Sequence, residues 1–577
     1  MIYNAYTKDV LTKDFNTVED IAKSIAWSKQ DIVITDSKGE TVFKQEGVEA
    51  PRSWSYQAVS IAAEKYFQPI KGVKENSVHD MMFRIARTIA NKGYSLKYFT
   101  TTNMKRMFEK ELYYILINQM AAFNSPVFFN CGVTEKGWLS ACFILGINDS
   151  MEDILETLKI EGLIFKYGSG VGKNLSSLRS SKERLSNGGI PSGPISFMKM
   201  YDTAAATIKS GGKHRRSAKM EGLNINHPDI LEFIRCKPNE EKKAQALINA
   251  GMSTKIGDPN NAYQSVAFQN SNLFVGLDDE FLNNVINNKK HHTKSVTTGE
   301  TVDTFEANQL LDEIVEALYT CGDPGIHFTD TINRWHTCKQ SGRINSSNPC
   351  TEFLFIDNSA CNLSSINLIK FLENKTFNIQ NFIQVVQILI TAMDIICEFS
   401  NYPTKSITEN SHKFRPLGLG YTNLGSLLMS CGVPYDSDEA RTIASAITGL
   451  MTSEAYRTSW ELGTIKEPFA GYSNNKESMS DVLRMHNEAI LKLSGRKKSK
   501  LTNLSDMIDT ANDNMDYIYS KLYTKNSSNN RGFRNAQVTL LAPTGTISFI
   551  MDATTTGIEP DTGLVKVKSL VGVVHYQ

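Results

Sequence analysis

Residues 344–368 have the sequence INSSNPCTEFLFIDNSACNLSSINL and include two of the nine cysteines of the chain. Cys350 lies in a polar, loop-like setting, with the amide of Asn348 two residues before it and the carboxylate of Glu352 two residues after it. A second thiol, Cys361, follows eleven residues later. An amide can hold a hydroxyl by hydrogen bonds and a carboxylate can take its proton, so this segment is a candidate reactive site.

The segments on both sides of this site alternate between short apolar runs, punctuated by glycine or proline, and helical patterns. The run 139–146, LSACFILG, is typical of a buried strand, and residues 151–162, MEDILETLKIEG, have apolar residues at helical spacing. The residues on one face of that helix are Met151, Ile154, Leu155 and Leu158. Strand, loop and helix in succession predict an α/β architecture with a largely parallel sheet.

Composition and charge exclude several classes of partner. Of the 577 residues, 41% are hydrophobic and 21% charged, as in soluble globular proteins, and the net charge of +1 argues against nucleic acid or an anionic membrane as the main partner. The amino terminus, MIYNAYTKDVLTKDF, carries charges where a signal peptide needs an apolar core. The apolar run 385–397 is short and contains Asp394, which favours a buried helix over a membrane span. We therefore expect a cytoplasmic protein.

The cysteines are spread over long intervals without a CxxC pair, so free thiols with a redox-active few are expected rather than a disulfide framework. No metal site is predicted. The cysteines interpreted as small buried residues are Cys131, Cys236, Cys321, Cys338, Cys397 and Cys431.

Eight blocks of the sequence together point to one family. They are AAFNSPVFFNCG (121–132), SACFILGINDSMEDI (140–154), FKYGSGVGKNLSSLRSS (165–181), SGGKHRRSAKM (210–220), NPCTE (348–352), SACNLSSINL (359–368), HKFRPLGLGYTNLG (412–425) and RNAQVTLLAPTGTISFIMDATTTGIEPD (534–561). These blocks occur in the order found in ribonucleotide reductases, and the chain most resembles the catalytic chain of the adenosylcobalamin-dependent class II. Pro349 and the runs NSPVFFN (124–130) and DATTTGIEP (552–560) favour this type over the tyrosyl-radical and glycyl-radical types.

The resemblance implies a fold and a domain division. The fold is the ten-stranded α/β barrel of this family, with its effector-binding loops, over residues 121–577. A smaller, mixed and mainly helical region precedes it over residues 1–120, where strand signals such as DIVITDSKGETVF (31–43) accompany helical patterns such as HDMMFRIARTIANKG (79–93).

The resemblance also assigns catalytic roles. Cys350 matches the cysteine that becomes a thiyl radical and removes the ribose 3′-hydrogen. Glu352 matches the general base for the 3′-hydroxyl proton, and Asn348 the amide that holds the reacting hydroxyls. Cys142 and Cys361 match the pair that supplies two electrons and ends as a disulfide; a thiol with a pKa of about 8.5 is protonated at pH 7 and can deliver a proton as well.

Two nucleotide sites are implied, one for the ribonucleotide substrate and one for a deoxynucleoside triphosphate or ATP effector. A tight loop around Gly545 resembles the substrate-phosphate loop, and Gly170 lets the backbone approach the sugar. The substrate residues are Ser125, Ala141, Cys142, Gly170, Asn348, Pro349, Cys350, Thr351, Glu352, Pro543, Thr544, Gly545, Thr546 and Ile547. The effector residues are Asp149, Arg179 and Lys209, at a homodimer interface.

One strand departs from the family pattern. The run QNSNLFVGLDDEF (269–281) carries Leu273, Phe274 and Gly276 where the family has an Asn-Ser-Val-Arg run, which puts family contacts through this strand in doubt.

The family continues beyond GIEPDTGLVKVKSLVG (557–572) into the last barrel strands and a tail whose cysteine pair exchanges with thioredoxin, whereas this chain ends at VVHYQ. We expect the barrel to lack those strands here: either a second chain supplies them or the chain is a truncated piece. Two hypotheses stand: a reductase acting on ribonucleotides, diphosphates being expected over triphosphates, or a nucleotide-binding fragment that works only with a second chain.

Overall fold

The computed structural model divides the chain into two units. It describes residues 9–35, 39–70, 72–135, 137–185, 188–208, 218–255, 258, 260–495, 499–523, 531–563, 567–570 and 573–576. The first unit comprises Met1–Ala141, Cys361–Tyr402 and Thr408–Gln577. The second unit comprises Cys142–Ala360 and Pro403–Ile407.

The β-strands are short and spread along the whole chain. In chain order they are β1 (Trp27–Thr35), β2 (Thr41–Pro51), β3 (Pro69–Ile70), β4 (Val73–Lys74), β5 (Ala121–Phe123), β6 (Cys142–Leu145), β7 (Gly170–Asn174), β8 (Lys219–Asn224), β9 (Asn272–Leu277), β10 (Lys290–Lys294), β11 (Thr301–Glu306), β12 (Gly325–Phe328), β13 (Ser346–Ser347), β14 (Leu354–Phe355), β15 (Ser359–Asn367), β16 (Leu372–Glu373), β17 (Thr376–Phe377), β18 (Leu417–Thr422), β19 (Val567–Leu570) and β20 (Val573–Tyr576).

The α-helices are longer and separate most of these strands. They are α1 (Val18–Ser24), α2 (Tyr56–Ile61), α3 (Val78–Ser95), α4 (Thr102–Ile117), α5 (Ser125–Asn130), α6 (Met151–Lys166), α7 (Gly193–Thr207), α8 (Ile230–Asn249), α9 (Asp279–Ile286), α10 (Ala307–Cys321), α11 (Thr329–Arg334), α12 (Ile379–Phe399), α13 (Lys405–Phe414), α14 (Leu424–Cys431), α15 (Asp438–Lys466), α16 (Tyr472–Leu491), α17 (Leu504–Leu522) and α18 (Gly545–Ile550). A π-helical turn, Ala62–Tyr66, follows α2.

The second unit is built on a parallel sheet with the strand order β12-β9-β8-β7-β6. Helices α6, α7 and α8 connect successive strands of this sheet, which is the strand–helix–strand succession that the sequence predicted. Ile154 of α6, Leu223 of β8 and Phe233 of α8 belong to one buried hydrophobic cluster. Because these strands are parallel, their amino-terminal ends lie along one edge of the sheet. Cys142 begins β6 and Gly170 begins β7 at this edge.

Helix α6 is more exposed than its pattern predicted. Ile154 is buried and Leu158 packs against the core, as expected. Met151 and Leu155 instead remain 53% and 49% exposed. The apolar stripe of α6 therefore extends past the core onto the surface.

The first unit contains three further paired strands. Strand β15 pairs in parallel with β18 and antiparallel with β5. Residues 537–540 run beside β18: the Leu419 N–H donates to the Val538 oxygen at 2.9 Å, and the Leu540 N–H donates to the Leu419 oxygen at 3.0 Å. This segment leads directly into residues 543–547.

Helix α12 is the one described helix long and apolar enough to cross a membrane by length and composition. Of its most apolar 18-residue window, 78% is buried inside the protein, so it is a core helix, as predicted. Its carboxylate, Asp394, is fully buried.

Four side chains hold the Asp394 carboxylate by hydrogen bonds. The Tyr98 hydroxyl donates at 2.6 Å, and the guanidinium of Arg415 and the amide of Asn535 each donate at 2.8 Å. Arg534 completes the group at 3.2 Å. Burial alone would raise the pKa of Asp394, but the charges of Arg415 and Arg534 outweigh it and hold the pKa well below its ordinary value.

The mixed α/β class is confirmed, as are the strand signals, which fall in β1 and β2, and the helix α3 in the amino-terminal region. The count of ten barrel strands and the domain boundary at residue 120 stay predictions.

Asp394→Ala should destabilise the protein by about 3–5 kcal/mol, because it removes the buried carboxylate that pairs with both Arg415 and Arg534 and leaves them the partly exposed Glu398. Urea unfolding measures this, with Asp436→Asn as the control, since the Asp436 side chain is 98% exposed and its ion pair with Arg441 should contribute less than about 1 kcal/mol. Because the folded-state pKa of Asp394 is depressed, its contribution is present above the ordinary pKa of about 3.9 and lost as the pH falls below it. An equal effect of both substitutions would contradict this account.

Candidate active site

Cys350 is presented by a short loop of the second unit. Strands β13 and β14 pair antiparallel, and residues 348–353, here called the thiol loop, connect them. The Asn348 side-chain oxygen accepts from the Phe353 N–H at 2.9 Å, and the Asn348 backbone oxygen accepts from the Thr351 N–H at 3.1 Å. Asn348 therefore closes the loop in addition to its predicted role toward substrate.

The loop lies directly on strand β7. A Cβ atom added at Gly172 would lie 1.8 Å from the Ser347 backbone oxygen, which no real contact allows. A Cβ atom at Gly170 would lie 3.0 Å from the ring of Pro349. Both glycines face the loop because alternate residues of a strand share one face. The approach of Gly170 to a sugar stays a prediction, and its observed neighbour is the loop itself.

Three predicted catalytic side chains meet at the start of β6. The Asn348 amide donates to the Cys142 sulfur at 3.1 Å, and the Cys142 thiol lies 3.7 Å from the Glu352 Oε1 atom. The Glu352 Oε2 atom is buried and has no hydrogen-bond partner among the described residues. Burial raises the pKa of Glu352, although hydrogen bonds from Asn348 and Cys142 oppose the shift. This carboxylate can accept a hydrogen bond from a further group, and its raised pKa makes it a stronger base than an exposed one.

The Cys350 thiol itself is exposed, whereas Cys142 and Cys361 are buried. Its neighbour Thr351 has a left-handed backbone, with φ of +68°, which is rare for a β-branched residue. The Asn272 amide donates to the Pro349 oxygen at 2.9 Å and so ties the loop to β9.

The predicted redox pair is divided between the two units. Cys142 begins β6 of the second unit, and Cys361 lies in the part of β15 that belongs to the first unit, where its thiol donates to the Asn362 oxygen at 3.4 Å. The disulfide between Cys142 and Cys361 stays a prediction.

The first unit contains the other predicted substrate residues. Ala141 is half-buried and precedes β6, and Ser125 begins α5 with its hydroxyl 3.0 Å from that of Tyr66. In the predicted phosphate loop, Pro543 and Gly545 are exposed, and a Cβ atom at Gly545 would meet nothing within 4 Å.

The hydroxyl of Thr544 makes hydrogen bonds that stabilise the loop itself. It lies 2.8 Å from the Thr422 hydroxyl, accepts from the Gly557 N–H at 2.7 Å and donates to the Pro543 oxygen. Thr546 is half-buried and Ile547 is buried. The exposed face at Gly545 is therefore the part of this loop that a phosphate could approach, through backbone N–H groups.

Two of the predicted effector residues form an ion pair. The Arg179 guanidinium donates to the Asp149 carboxylate at 2.5 Å, and the Arg179 N–H donates to the same group at 3.2 Å. Lys209 lies outside the described residues. Contact of these residues with an effector stays a prediction.

A cavity of about 670 Å³ in the first unit is lined by none of the predicted site residues. Tyr421, Leu428 and Ala444 are among its lining residues, and it is mainly apolar. The chemistry-bearing residues converge elsewhere, at the thiol loop.

Comparison with known proteins decides the family. A family model for the ribonucleotide reductase barrel domain matches residues 140–575, and one for class II vitamin B12-dependent ribonucleotide reductase matches residues 28–75 and 68–119. The chain belongs to the class II ribonucleotide reductases. This confirms the predicted family, its barrel type and its cobalamin dependence.

Curated members of the family align with almost the whole chain. The vitamin B12-dependent ribonucleotide reductase of Streptomyces coelicolor is 45% identical over 556 residues, or 95% of this chain and 56% of the relative. That of Rhodopirellula baltica is 42% identical over 95% of this chain and 54% of the relative. A vitamin B12-dependent ribonucleoside-diphosphate reductase of Mycobacterium tuberculosis is 30% identical over 91% of this chain and 65% of the relative. The chain thus spans little more than half the length of the first two.

The thiol loop fits the cofactor of this class in one respect that the structure shows. A bulky corrinoid needs a thiol that it can approach from outside, and Cys350 is exposed at the tip of its loop. The corrin ring holds its own cobalt, so no ligand cluster on the protein is required. Among the described residues, no group of three or more His, Cys, Asp or Glu side chains could hold a metal ion.

Sequence reasoning missed Gly172, Asn272 and their contacts with the loop. The alternation of glycines in GSGVG was a usable signal for Gly172, because it lies two residues from Gly170 on the same strand face. The contact between Asn272 and Pro349 joins segments that are distant in the chain, and no local sequence pattern predicts it.

Gly172→Ala should destabilise the protein by about 3 kcal/mol, the upper end of the range for overpacking, because the new methyl group meets a backbone oxygen that no rotamer change can move. Gly325→Ala is the matched control: Gly325 also lies in a strand of this sheet, but its nearest atom would be 3.7 Å away. Unfolding in urea measures both. A Gly172 variant as stable as the Gly325 variant would show that the loop does not rest on β7.

Proposed function

We propose that the chain carries the catalytic site of an adenosylcobalamin-dependent reductase that converts ribonucleoside diphosphates to 2′-deoxyribonucleotides. The observation that carries this proposal is the convergence of Asn348, Glu352 and Cys142 beside the exposed Cys350, with one buried oxygen of Glu352 still able to accept a hydrogen bond. The name of the Mycobacterium tuberculosis relative supports a diphosphate substrate.

Cys350 begins the reaction. When bound, adenosylcobalamin would supply an organic radical. Cys350 gives up its thiol hydrogen to that radical and becomes a thiyl radical. The sulfur radical then removes the 3′-hydrogen of the ribose, a step that acid–base groups cannot perform. At the end of the reaction the same hydrogen returns to the 3′-carbon and regenerates the thiyl radical.

Glu352, Asn348 and the cysteine pair complete the reduction. Glu352 accepts the 3′-hydroxyl proton through its buried Oε2 atom, and Asn348 orients the reacting hydroxyls. The 2′-hydroxyl leaves as water with a proton from the thiol pair. Cys142 and Cys361 together supply two electrons and two protons and become a disulfide, which balances one ribonucleotide reduced against two thiols oxidised.

Substrate binding uses the residues predicted for it. The exposed backbone at Gly545 receives the diphosphate, with Pro543, Thr546 and Ile547 shaping the loop and Thr544 fixing it from within. The thiol loop, Gly170, Ser125 and Ala141 contact the nucleoside. This assignment rests on the family match over residues 140–575 for most of these positions.

Regulation and reduction follow the family pattern. A deoxynucleoside triphosphate or ATP effector binds near Asp149 and Arg179 at a homodimer interface, and the exposed Met151 and Leu155 of α6 are apolar residues suited to such an interface. Thioredoxin, or a similar dithiol protein, returns the disulfide to two thiols. The enzyme acts in the cytoplasm.

The test is turnover of ribonucleoside diphosphates with adenosylcobalamin and dithiothreitol. Cys350→Ser should abolish product formation, a loss of at least 10³-fold, because an alkoxyl group cannot take the place of the thiyl radical. Cys431→Ser is the control, since this buried cysteine lies outside the site and should retain turnover. Deoxynucleotide formation by the Cys350 variant would refute the assignment.

A partial reaction separates the thiol pair from the radical cysteine in the same assay. Cys142→Ser should still exchange hydrogen between substrate and cofactor while the substrate decomposes to free base. Unimpaired deoxynucleotide formation by this variant would remove Cys142 from the mechanism.

The raised pKa of Glu352 predicts the acidic limb of the activity profile. The base must be deprotonated to accept the 3′-hydroxyl proton, so kcat/KM should fall as the pH drops through a pKa above the ordinary value of about 4.3. Glu352→Gln, which keeps the shape, should lower kcat by about 10²–10⁴-fold and remove this limb. An acidic limb that persists unchanged in the Gln variant would belong to another group.

A further inference from the structure

Strand β9, whose sequence departs from the family pattern, supports the thiol loop through two stacked rings. Phe274 of β9 and His327 of β12 lie with their ring centroids 3.8 Å apart and their planes 18° from parallel. Both side chains are buried. The strands β9 and β12 are adjacent and parallel, with Phe274 opposite Gly325 and Gly276 opposite His327.

A glycine on the next strand makes room for this stack. A Cβ atom added at Gly222 of β8 would lie 1.9 Å from the Cζ atom of Phe274, so the ring occupies the space that a side chain would take. Phe274 is therefore fixed from one side by the backbone of β8 and from the other by His327. A large ring at this position of β9 is compatible with the sheet only because Gly222 is opposite it.

His327 reaches the thiol loop from this stack. Its Nε2 atom lies 3.4 Å from the Thr351 hydroxyl oxygen. Burial lowers the pKa of His327 to about 4, so the imidazole is neutral at physiological pH and can share one hydrogen with that hydroxyl. Thr351 is the residue with the left-handed backbone, and Cys350 and Glu352 are its two neighbours in the chain.

We propose that His327, held by Phe274, is a positioning residue that fixes the strained Thr351 and thereby the relative placement of the Cys350 thiol and the Glu352 carboxylate. A left-handed β-branched residue persists only where its surroundings hold it. The hydrogen bond between His327 and Thr351 restrains the Thr351 side chain, while the Asn272 amide holds the Pro349 oxygen on the other side of Cys350. The expected effect on catalysis rests on the proposed function. The restraint of the loop by His327 does not depend on it.

Hydrogen exchange of the purified chain tests the restraint without turnover. His327→Leu and Thr351→Val each remove one partner and should speed amide exchange in a peptide covering residues 348–353 by about 5-fold or more. The double variant should exchange no faster than the faster single variant, because both remove the same contact. Phe274→Leu, which removes the stacking ring, should have a smaller effect in the same direction.

The control is His291→Gln. His291 is another buried histidine of the second unit, packed edge-on against Phe281 at 5.0 Å, and its Nε2 atom lies 3.3 Å from the Ile225 oxygen. This variant should change exchange near β10 and leave residues 348–353 unchanged. Unchanged exchange of the loop in His327→Leu, or an equal rise throughout the second unit, would overturn the proposal.

Steady-state kinetics give the catalytic consequence. His327→Leu should lower kcat by about 5- to 20-fold with KM changed less than 2-fold, and His327→Gln, which keeps a hydrogen-bonding group, should recover part of the loss. A wild-type chain without reductase activity but with the expected exchange pattern would refute the proposed function and leave the restraint standing. Normal kcat in His327→Leu would refute the positioning role and leave the proposed function standing.

Discussion

The close approach of the Ser347 carbonyl oxygen to Gly172 is the contact on which the reactive site depends. A side chain in place of Gly172 would lift the thiol loop from the sheet. With the loop seated, Asn348 and Glu352 come within reach of Cys142 at the start of the neighbouring strand. The site is therefore assembled by backbone packing first and by side-chain hydrogen bonds second, which explains why its polar groups can remain incompletely satisfied.

Two buried carboxylates show that their hydrogen-bond and charge partners determine whether burial raises or lowers the pKa. Asp394 accepts hydrogen bonds from four side chains, two of them guanidinium groups, and stays ionised with a depressed pKa. Glu352 is held by neutral donors, an amide, a thiol and its own backbone N–H, and burial raises its pKa. A buried polar atom without a partner costs about 1–3 kcal/mol. The partners of Asp394 stabilise the fold. The buried oxygen of Glu352 without a partner lowers stability but is able to react.

The sequence predicted the elements of this protein better than their contacts. Strand β6, helices α6 and α12 and the parallel succession of the second unit follow from apolar periodicity and glycine placement, because these are local properties. The grouping of Cys142, Asn348 and Glu352 came from matching motifs, and the structure shows them within hydrogen-bonding distance. The internal use of the Thr544 hydroxyl and the support of Thr351 by His327 were not predicted. Such contacts join residues distant in the chain, and no pattern within one segment specifies the partner.

The discontinuity of the first unit has a consequence for biosynthesis. Its Asp394 cluster draws on Tyr98, Arg415, Arg534 and Asn535, so the carboxylate lacks its full set of partners until the ribosome has passed residue 535. The second unit is almost entirely contained in Cys142–Ala360 and can pack its parallel sheet earlier. During translation, apolar surface of the amino-terminal helices therefore remains exposed until segments much later in the chain have been synthesised. This interval is the period in which a nascent chain of this design most needs chaperones.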